Sequence, residues 1–363
     1  MTWKCAAIDH GVTIFPNGKI GPCCLIQADY LKPIDSLRDP DRFADLKTVH
    51  PPPQCGQCIS DESQGLSSYR MMFNRLRTPA AGLQFVDIRN TNHCNLKCRY
   101  CGPHFSSSWA KEFGSLQILH QDIEQYKNIL LTDDLHWMYF TGGEPLINPE
   151  HWDLLKELVE SGRAQGIALV YNTNLTTIKY KDIEIVNLWS QFKSVQVHCS
   201  IDAVGPPLEY IRSGAVWEKI QDNLQTLLAT TADSNISVSL SPVLSILNIW
   251  FIAKLFDYAE QHKVPVNLHV LTGPDYLALN VMPDQLQTQA LEQLQLIRNR
   301  INLKLFDYIR NLIENNINSY LFNHTIGHVL LLDNNRNEKL FELLPFKAIA
   351  QEQLLKNYEY EQR

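Results

Sequence analysis

Nine cysteines carry most of the chemistry this sequence can do, and all but Cys5 and Cys199 fall in tight groups. Cys94, Cys98 and Cys101 stand at CxxxCxxC spacing in the stretch Asn92–Cys101, N-H-C-N-L-K-C-R-Y-C. Three thiolates on one short loop can hold three corners of an iron–sulfur cube, whereas a closed cluster takes four. One iron is then left open for a further ligand. A structural zinc loop is the alternative, but zinc wants four ligands, usually as two close pairs.

A second set precedes it. Cys5 leads into an alternating stretch, Val12 to Phe15, then the turn P-N-G-K at Pro16 to Lys19, then Ile20 to Cys24. This is a hairpin signal with a cysteine at each end. Beyond Pro33, Pro40 and the triplet Pro51 to Pro53 comes C-G-Q-C, with Cys55 and Cys58. Such a set suits either an iron–sulfur cluster or a zinc ribbon of two cysteine pairs, and Cys23 and Cys24 are both open as the hairpin's ligand.

These loops need strands to hold them. An apolar alternating run, Leu83 to Arg89, directly precedes Asn92–Cys101 and reads as a strand. Further strands are expected at Trp137 to Phe140, Ala168 to Asn172, Ser194 to Ser200, Ile236 to Leu240 and Val266 to Val270. Helical patterns lie between them, at about Ser107 to Leu131, Glu150 to Gln165, Ile183 to Ser190, Ala215 to Thr231 and Ile249 to His262. The alternation is that of parallel βα units in an α/β fold. Ser60 to Thr78 reads as a connecting helix. From Pro283 a long helical repeat runs through Leu286, Ala290, Leu294, Ile301, Ile309 and Ile313, followed by Val329 to Asp333 and a polar tail.

At 363 residues the chain can bury a substantial core, with one domain plus attachments as the expectation. A net charge of −7 gives no support to a nucleic-acid scaffold, which needs a basic face. The N-terminal residues lack the charged and apolar regions of a signal peptide, and no apolar run reaches membrane-spanning length. A cytoplasmic protein is expected, and there clustered cysteines serve metals more often than disulfides.

With Tyr100 just before its last cysteine, and with T-G-G-E-P at Thr141 to Pro145 after the second strand, the sequence resembles the radical SAM superfamily. The resemblance implies a partial (β/α)6 barrel whose active site lies at the carboxyl ends of the strands. It implies a [4Fe–4S] cluster on Cys94, Cys98 and Cys101 that binds S-adenosylmethionine (SAM) and cleaves it reductively. In that reading Gly142 and Gly143 let the backbone approach a ligand, and Glu144 accepts from the substrate ammonium. Asn172 and Asn174 end the third strand where polar residues reach SAM. Cys199-Ser200-Ile201-Asp202 matches the S-x-D element whose oxygens bind ribose, with a helix or turn cap as the other account of Asp202. Arg212 pairs with the SAM carboxylate or is an ordinary surface arginine, and Asn248 matches a polar position. Cys199 is a packing residue or a thiol near the radical, and His198 is structural.

The order Cys5, Gly18, Cys23, Cys55, Cys58 further resembles the auxiliary-cluster module called twitch, a truncated relative of SPASM, placed here before the core. Carried over by position, Cys5, Cys23, Cys55 and Cys58 would hold an auxiliary [4Fe–4S] cluster, and Asp333 and Arg336 would hold the tail. The expected organisation is an N-terminal β-hairpin iron–sulfur module and linker over 1–79, the core over 80–276 and a helical C-terminal extension over 277–363. A peptide substrate is implied, with a sugar or aminoglycoside-like small molecule as the alternative and an inactive scaffold as a third. Flavodoxin or ferredoxin would donate the electron, and a separate protein could deliver the peptide.

Overall fold

The computed structural model describes residues 3–26, 30–48, 50–63, 65–115, 118–339 and 344–346. The chain forms two compact units, Met1–Leu96 with Gly102–Cys199 and Lys219–Ser239, and Lys97–Cys101 with Ser200–Glu218 and Leu240–Arg363.

The first unit is a mixed α/β structure built on one sheet. Its strands are β1 (Gly11–Ile14), β2 (Lys19–Gly21), β3 (Lys32–Pro33), β4 (Phe85–Ile88), β5 (Trp137–Phe140), β6 (Ala168–Thr173), β7 (Ser194–Cys199) and β8 (Ile236–Leu240). They lie in the order β8-β7-β6-β5-β4-β1-β2-β3. β1, β4, β5, β6 and β7 are parallel in succession. Their runs are rich in aromatic and β-branched residues, which pack well on a pleated surface.

Because strand residues alternate sides, the sheet has two unlike faces. Val86, Ile88, Met138, Phe140, Leu169, Tyr171, Val195 and Val197 line one face and are buried. Helices cover it: His151 of Pro149–Glu160 meets Phe140 and Tyr171 edge-on, with centroids 4.8 and 5.4 Å apart, and Trp189 packs on Tyr171. On the other face, Phe73 of the helix Tyr69–Leu76 packs on Phe85 and Trp137 at the strands' amino ends. Toward the carboxyl ends that face turns polar, with Asp87, Arg89, Tyr139, Asn172 and His198.

The second unit holds an antiparallel pairing of Lys97–Cys98 with Arg212–Ser213 and a parallel pairing of Val243–Leu244 with His269–Val270. Around these run the helices Ile252–Gln261, Asp284–Leu296, Leu303–Asn315 and Phe322–Arg336, with Leu294, Ile309, Ile313, Val329 and Leu332 fully buried between them. No helix among the described residues is long and apolar enough to cross a membrane.

The structure departs from the sequence expectations in several places; Ser107 to Leu131, expected as one helix, is α-helical among the described residues only over Ser107–Glu112 and Lys127–Leu130. The N-terminal hairpin does not stand apart: β1 pairs in parallel with β4 and extends the main sheet, and Gly18, at φ +73°, makes the turn that joins β1 to β2. The sixth expected strand, Val266 to Val270, contributes only a bridge from Val266 to Leu240 and the His269–Val270 pairing. The connecting helix is two, Gly56–Ser63 and Tyr69–Leu76, because Ser68 caps the second by accepting from the Met71 amide. The long C-terminal repeat breaks after Leu296, where Asn302 caps a new helix by accepting from the Lys304 amide. Most of the expected polar tail lies outside the described residues.

Candidate functional site

In the first unit the Gly142–Gly143 turn is packed against the start of the cysteine stretch. The Gly143 amide donates to the Thr91 carbonyl at 2.9 Å and the Glu144 amide to the His93 carbonyl at 2.8 Å. A Cβ on Gly143 would lie 2.0 Å from the His93 oxygen, and Gly142 sits at φ +105°. The glycines are thus required by a backbone that approaches another backbone. Glu144 is buried, its Oε1 accepts from Thr173 Oγ1 at 2.7 Å and its Oε2 from the Asn174 amide at 2.6 Å, so the carboxylate ties β5 to β6. Asn174 points where a site residue should: its Nδ2 lies 3.9 Å from Cys94 Sγ and 3.0 Å from Asn95 Oδ1.

In the second unit Cys98, Tyr100, Asp202 and Arg212 form one cluster. Arg212 Nη1 donates to Cys98 Sγ at 3.7 Å, while its Nε donates to Asp202 Oδ2 at 2.7 Å. The Tyr100 hydroxyl donates to the same Oδ2 at 2.6 Å, and the Val243 amide donates to Oδ1 at 2.9 Å. Asp202 thus accepts from three groups of its own chain. Arg212 is neither a surface residue nor a free carboxylate partner, because it is buried with one end on a cysteine sulfur. Burial pushes the Cys98 thiol up, and the nearby guanidinium pulls it back. An N–H aimed at a sulfur favours the thiolate and tunes any cluster bound there. Ser200 is half-buried just after β7. Asn248 is fully buried and donates to the Asp202 and Val243 carbonyls, which is a loop-holding task.

Arg99, inside the cysteine loop, was not singled out by the sequence. Its side chain is 0% exposed and donates to Asp333 Oδ1 at 2.6 Å, to Glu338 and to the Tyr210 carbonyl at 2.8 Å, with its guanidinium 3.5 Å from the Tyr210 ring centroid. Arg336 Nη1 donates to the Lys97 carbonyl at 2.8 Å, and His328 Nε2 meets the Arg99 carbonyl at 2.9 Å. The helix Phe322–Arg336 thereby grips the segment Lys97–Cys101 at three points. The only sequence signal was a charged residue between two cysteines, and its carboxylate partners stand more than 200 positions away.

Within the first unit a recess of about 450 Å³, part of it open to solvent, is lined by Cys5, Cys23, Cys55 and Cys58. Its other walls are mainly apolar, including Ile8, Leu25, Ile26 and Phe73, with Arg70 as the cation beside them. Burial raises the Cys5 thiol to about 11, and it also raises Cys23 and Cys55. Among the described residues no three His, Cys, Asp or Glu side chains stand close enough to hold a single metal ion. What the four thiols share is a cavity with the donor chemistry of an iron–sulfur cube. Cys24 does not line it. That thiol is buried beside Arg89, Asp87 and Tyr69. Cys199 lies on the helix-covered face of β7, fully buried, and His198 bonds Ser239 Oγ at 2.9 Å on the other face.

Residues 88–259 match the Radical SAM superfamily. Over this segment the chain is similar to that superfamily. Among curated relatives, 7-carboxy-7-deazaguanine synthase of Thermoplasma acidophilum is 32% identical over 85 residues, 23% of this chain and 36% of that protein. GTP 3′,8-cyclase of Sulfurimonas denitrificans is 21% identical over 188 residues, 51% of this chain and 54% of that protein. The chain thus spans about a third to a half of the length of these relatives. Among solved structures, anSMEcpe with bound AdoMet and Cp18Cys peptide is 17% identical, covers 60% of each chain and has a TM-score of 0.43. Streptococcus suis SuiB bound to precursor peptide SuiA is 15% identical, with coverages of 68% and 50% and a TM-score of 0.42. Around this matched segment the CxxxCxxC loop follows β4 directly and the Gly-Gly turn follows β5.

Proposed function

We propose that the protein is a radical SAM enzyme with two [4Fe–4S] clusters, one held by Cys94, Cys98 and Cys101 and one by Cys5, Cys23, Cys55 and Cys58. Cys94, Cys98 and Cys101 would hold the first cluster, which when bound would supply the electron for reductive cleavage of SAM and so for hydrogen-atom abstraction from a substrate. The observation that carries the reading is the setting of the loop's sulfurs. Asn174 and Arg212 direct N–H groups at Cys94 and Cys98, which favours thiolates at those two corners. Asp202 keeps Arg212 charged and aimed, and Arg99 fixes the backbone between the last two cysteines. The N-terminal set has four thiols, which would leave no open iron, and this suits electron transfer or structural support.

For the substrate we propose a peptide, the substrate class of many proteins with auxiliary-cluster modules. Flavodoxin or ferredoxin would supply the electron, and a separate recognition protein could deliver the peptide. The second reading is a small phosphorylated molecule, favoured by the several GTP 3′,8-cyclases among the relatives. The test is reconstitution without oxygen, followed by iron counting and assay of 5′-deoxyadenosine with SAM and a reductant. About eight irons and SAM-dependent 5′-deoxyadenosine are expected. A protein that binds SAM and never forms 5′-deoxyadenosine would be a scaffold. Addition of GTP, and of peptides encoded beside this gene, then separates the two substrate readings by mass spectrometry.

A further inference from the structure

The face of the sheet opposite the helices carries a polar row that the proposed SAM and cluster sites do not use. It begins where the packing of Phe73 on Phe85 and Trp137 ends. Parallel registers bring Thr13 of β1, Asp87 of β4 and Tyr139 of β5 side by side, and Arg89, Asn172 and His198 follow at the strands' carboxyl ends. Asn172 lies near Tyr139, and Thr13 stands directly beside Asp87 in register. In a parallel α/β protein the carboxyl ends of the strands are where ligands are met.

Arg89 is the cation of this row. Its Nε donates to both oxygens of Asp87, at 3.1 and 3.0 Å, while its side chain stays 24% exposed against 6% for Asp87. Among the described residues neither of its terminal nitrogens has a hydrogen-bond acceptor. Other internal arginines differ. Arg99 spends its terminal nitrogens on Asp333, Glu338 and a carbonyl, Arg70 spends its on Glu62 and a carbonyl, and Arg212 directs one at Cys98. A guanidinium has five N–H donors in a rigid fork, and one gripped through Nε by a buried carboxylate presents the other four as a flat, preoriented pair. Among its other close neighbours, Tyr69 and Tyr139 are held in their neutral forms by burial and bring no second anion to compete.

We infer that the Nη1–Nη2 edge of Arg89 is the anchor for an oxyanion of the substrate, a carboxylate or a phosphate bound through two parallel N–H···O contacts. The inference rests on the proposed radical reading, since it names what holds the molecule attacked there. Asp87 is the positioning residue that orients the fork. An acidic side chain or terminal carboxylate of a peptide has the required chemistry, and so does a phosphorylated small molecule.

The test is arginine labelling of the anaerobic holoenzyme with phenylglyoxal, followed by digestion and mass spectrometry of each arginine. Inorganic phosphate, sodium acetate and sodium chloride are compared at equal ionic strength. Arg89 should be labelled in chloride and protected several-fold by an oxyanion, while the exposed Arg38 is labelled alike in all three. Protection by acetate as well as phosphate assigns a carboxylate-bearing substrate, and protection by phosphate alone assigns a phosphorylated one. Failure to label Arg89 in chloride, or labelling at one rate in all three salts, overturns the inference. No turnover is needed, so an unprotected Arg89 in a protein that makes 5′-deoxyadenosine refutes the anchor alone. A protected Arg89 in a protein that makes none refutes the radical reading instead.

Discussion

The two cysteine sets use the same thiol and are surrounded differently. Cys5, Cys23, Cys55 and Cys58 line one recess whose walls are mainly hydrocarbon, so whatever they hold meets little but sulfur and side-chain carbon. Cys94 and Cys98 each have an N–H donor on the sulfur, and the backbone between Cys98 and Cys101 is fixed by a buried arginine. The lesson is that ligand count and polarity go together. A set of four thiols needs nothing further, whereas a set of three with polar company is built to let a polar molecule share the metal.

The largest expected effect separates the sets by activity. Cys98→Ala should abolish 5′-deoxyadenosine formation and take bound iron from about eight to about four. Cys55→Ala with Cys58→Ala should lose as much iron yet keep some SAM cleavage. Equal 5′-deoxyadenosine yields from wild type and Cys98→Ala would break the comparison outright.

Next comes the grip on the loop. Asp333→Ala removes one acceptor from a guanidinium with no access to water, a class of change that costs about 3–5 kcal/mol. Urea unfolding of the metal-free protein should show it, and Glu338→Gln, at a partly exposed partner, should cost less. A loss below about 1 kcal/mol for Asp333→Ala would mean that the loop is held by something else.

Acid should weaken the unit that holds the recess. His151 is fully buried among Phe140, Trp152 and Tyr171, and burial alone pushes it down to about 3. An unfolded histidine titrates near 6.5, so below that pH the unfolded chain gains a proton that the folded one refuses. This contribution to stability is whole above about pH 6.5 and falls as pH drops toward 3, by about 2 kcal/mol at pH 5. His151→Gln should flatten that limb in unfolding measured from pH 7 to 5. An unchanged slope would place the acid sensitivity elsewhere.

The smallest effect concerns the thiol outside the recess. Cys24→Ala should leave the iron content unchanged and shift stability by only about 1 kcal/mol, as for a small buried side chain. Loss of about four irons would return Cys24 to the ligand set in place of Cys23.

Short-range spacing was enough to mark the loop Asn92–Cys101, the Gly-Gly turn and the strands β4 to β8, because neighbours in sequence carry those signals: alternation, glycine pairs, cysteine intervals. It also marked the hairpin, since P-N-G-K lies between two alternating runs. The sequence could not say that the hairpin joins the main sheet, because a parallel pairing of Gly11–Ile14 with Phe85–Ile88 spans more than 70 residues and leaves no local trace. Nor could it choose between Cys23 and Cys24. Adjacent residues differ only in the direction of their side chains, and the packing of the loop turned one to the recess and the other to Arg89. Glu144 and Asp202 show the same limit from the other side. Their positions in motifs were legible, but whether a carboxylate faces a ligand or its own chain depends on which donors the fold brings within reach. The tertiary structure brought Thr173 and Asn174 to Glu144, and Tyr100, Arg212 and Val243 to Asp202. Buried carboxylates take the hydrogen bonds that remove the cost of desolvation, and only the folded chain decides where those donors are.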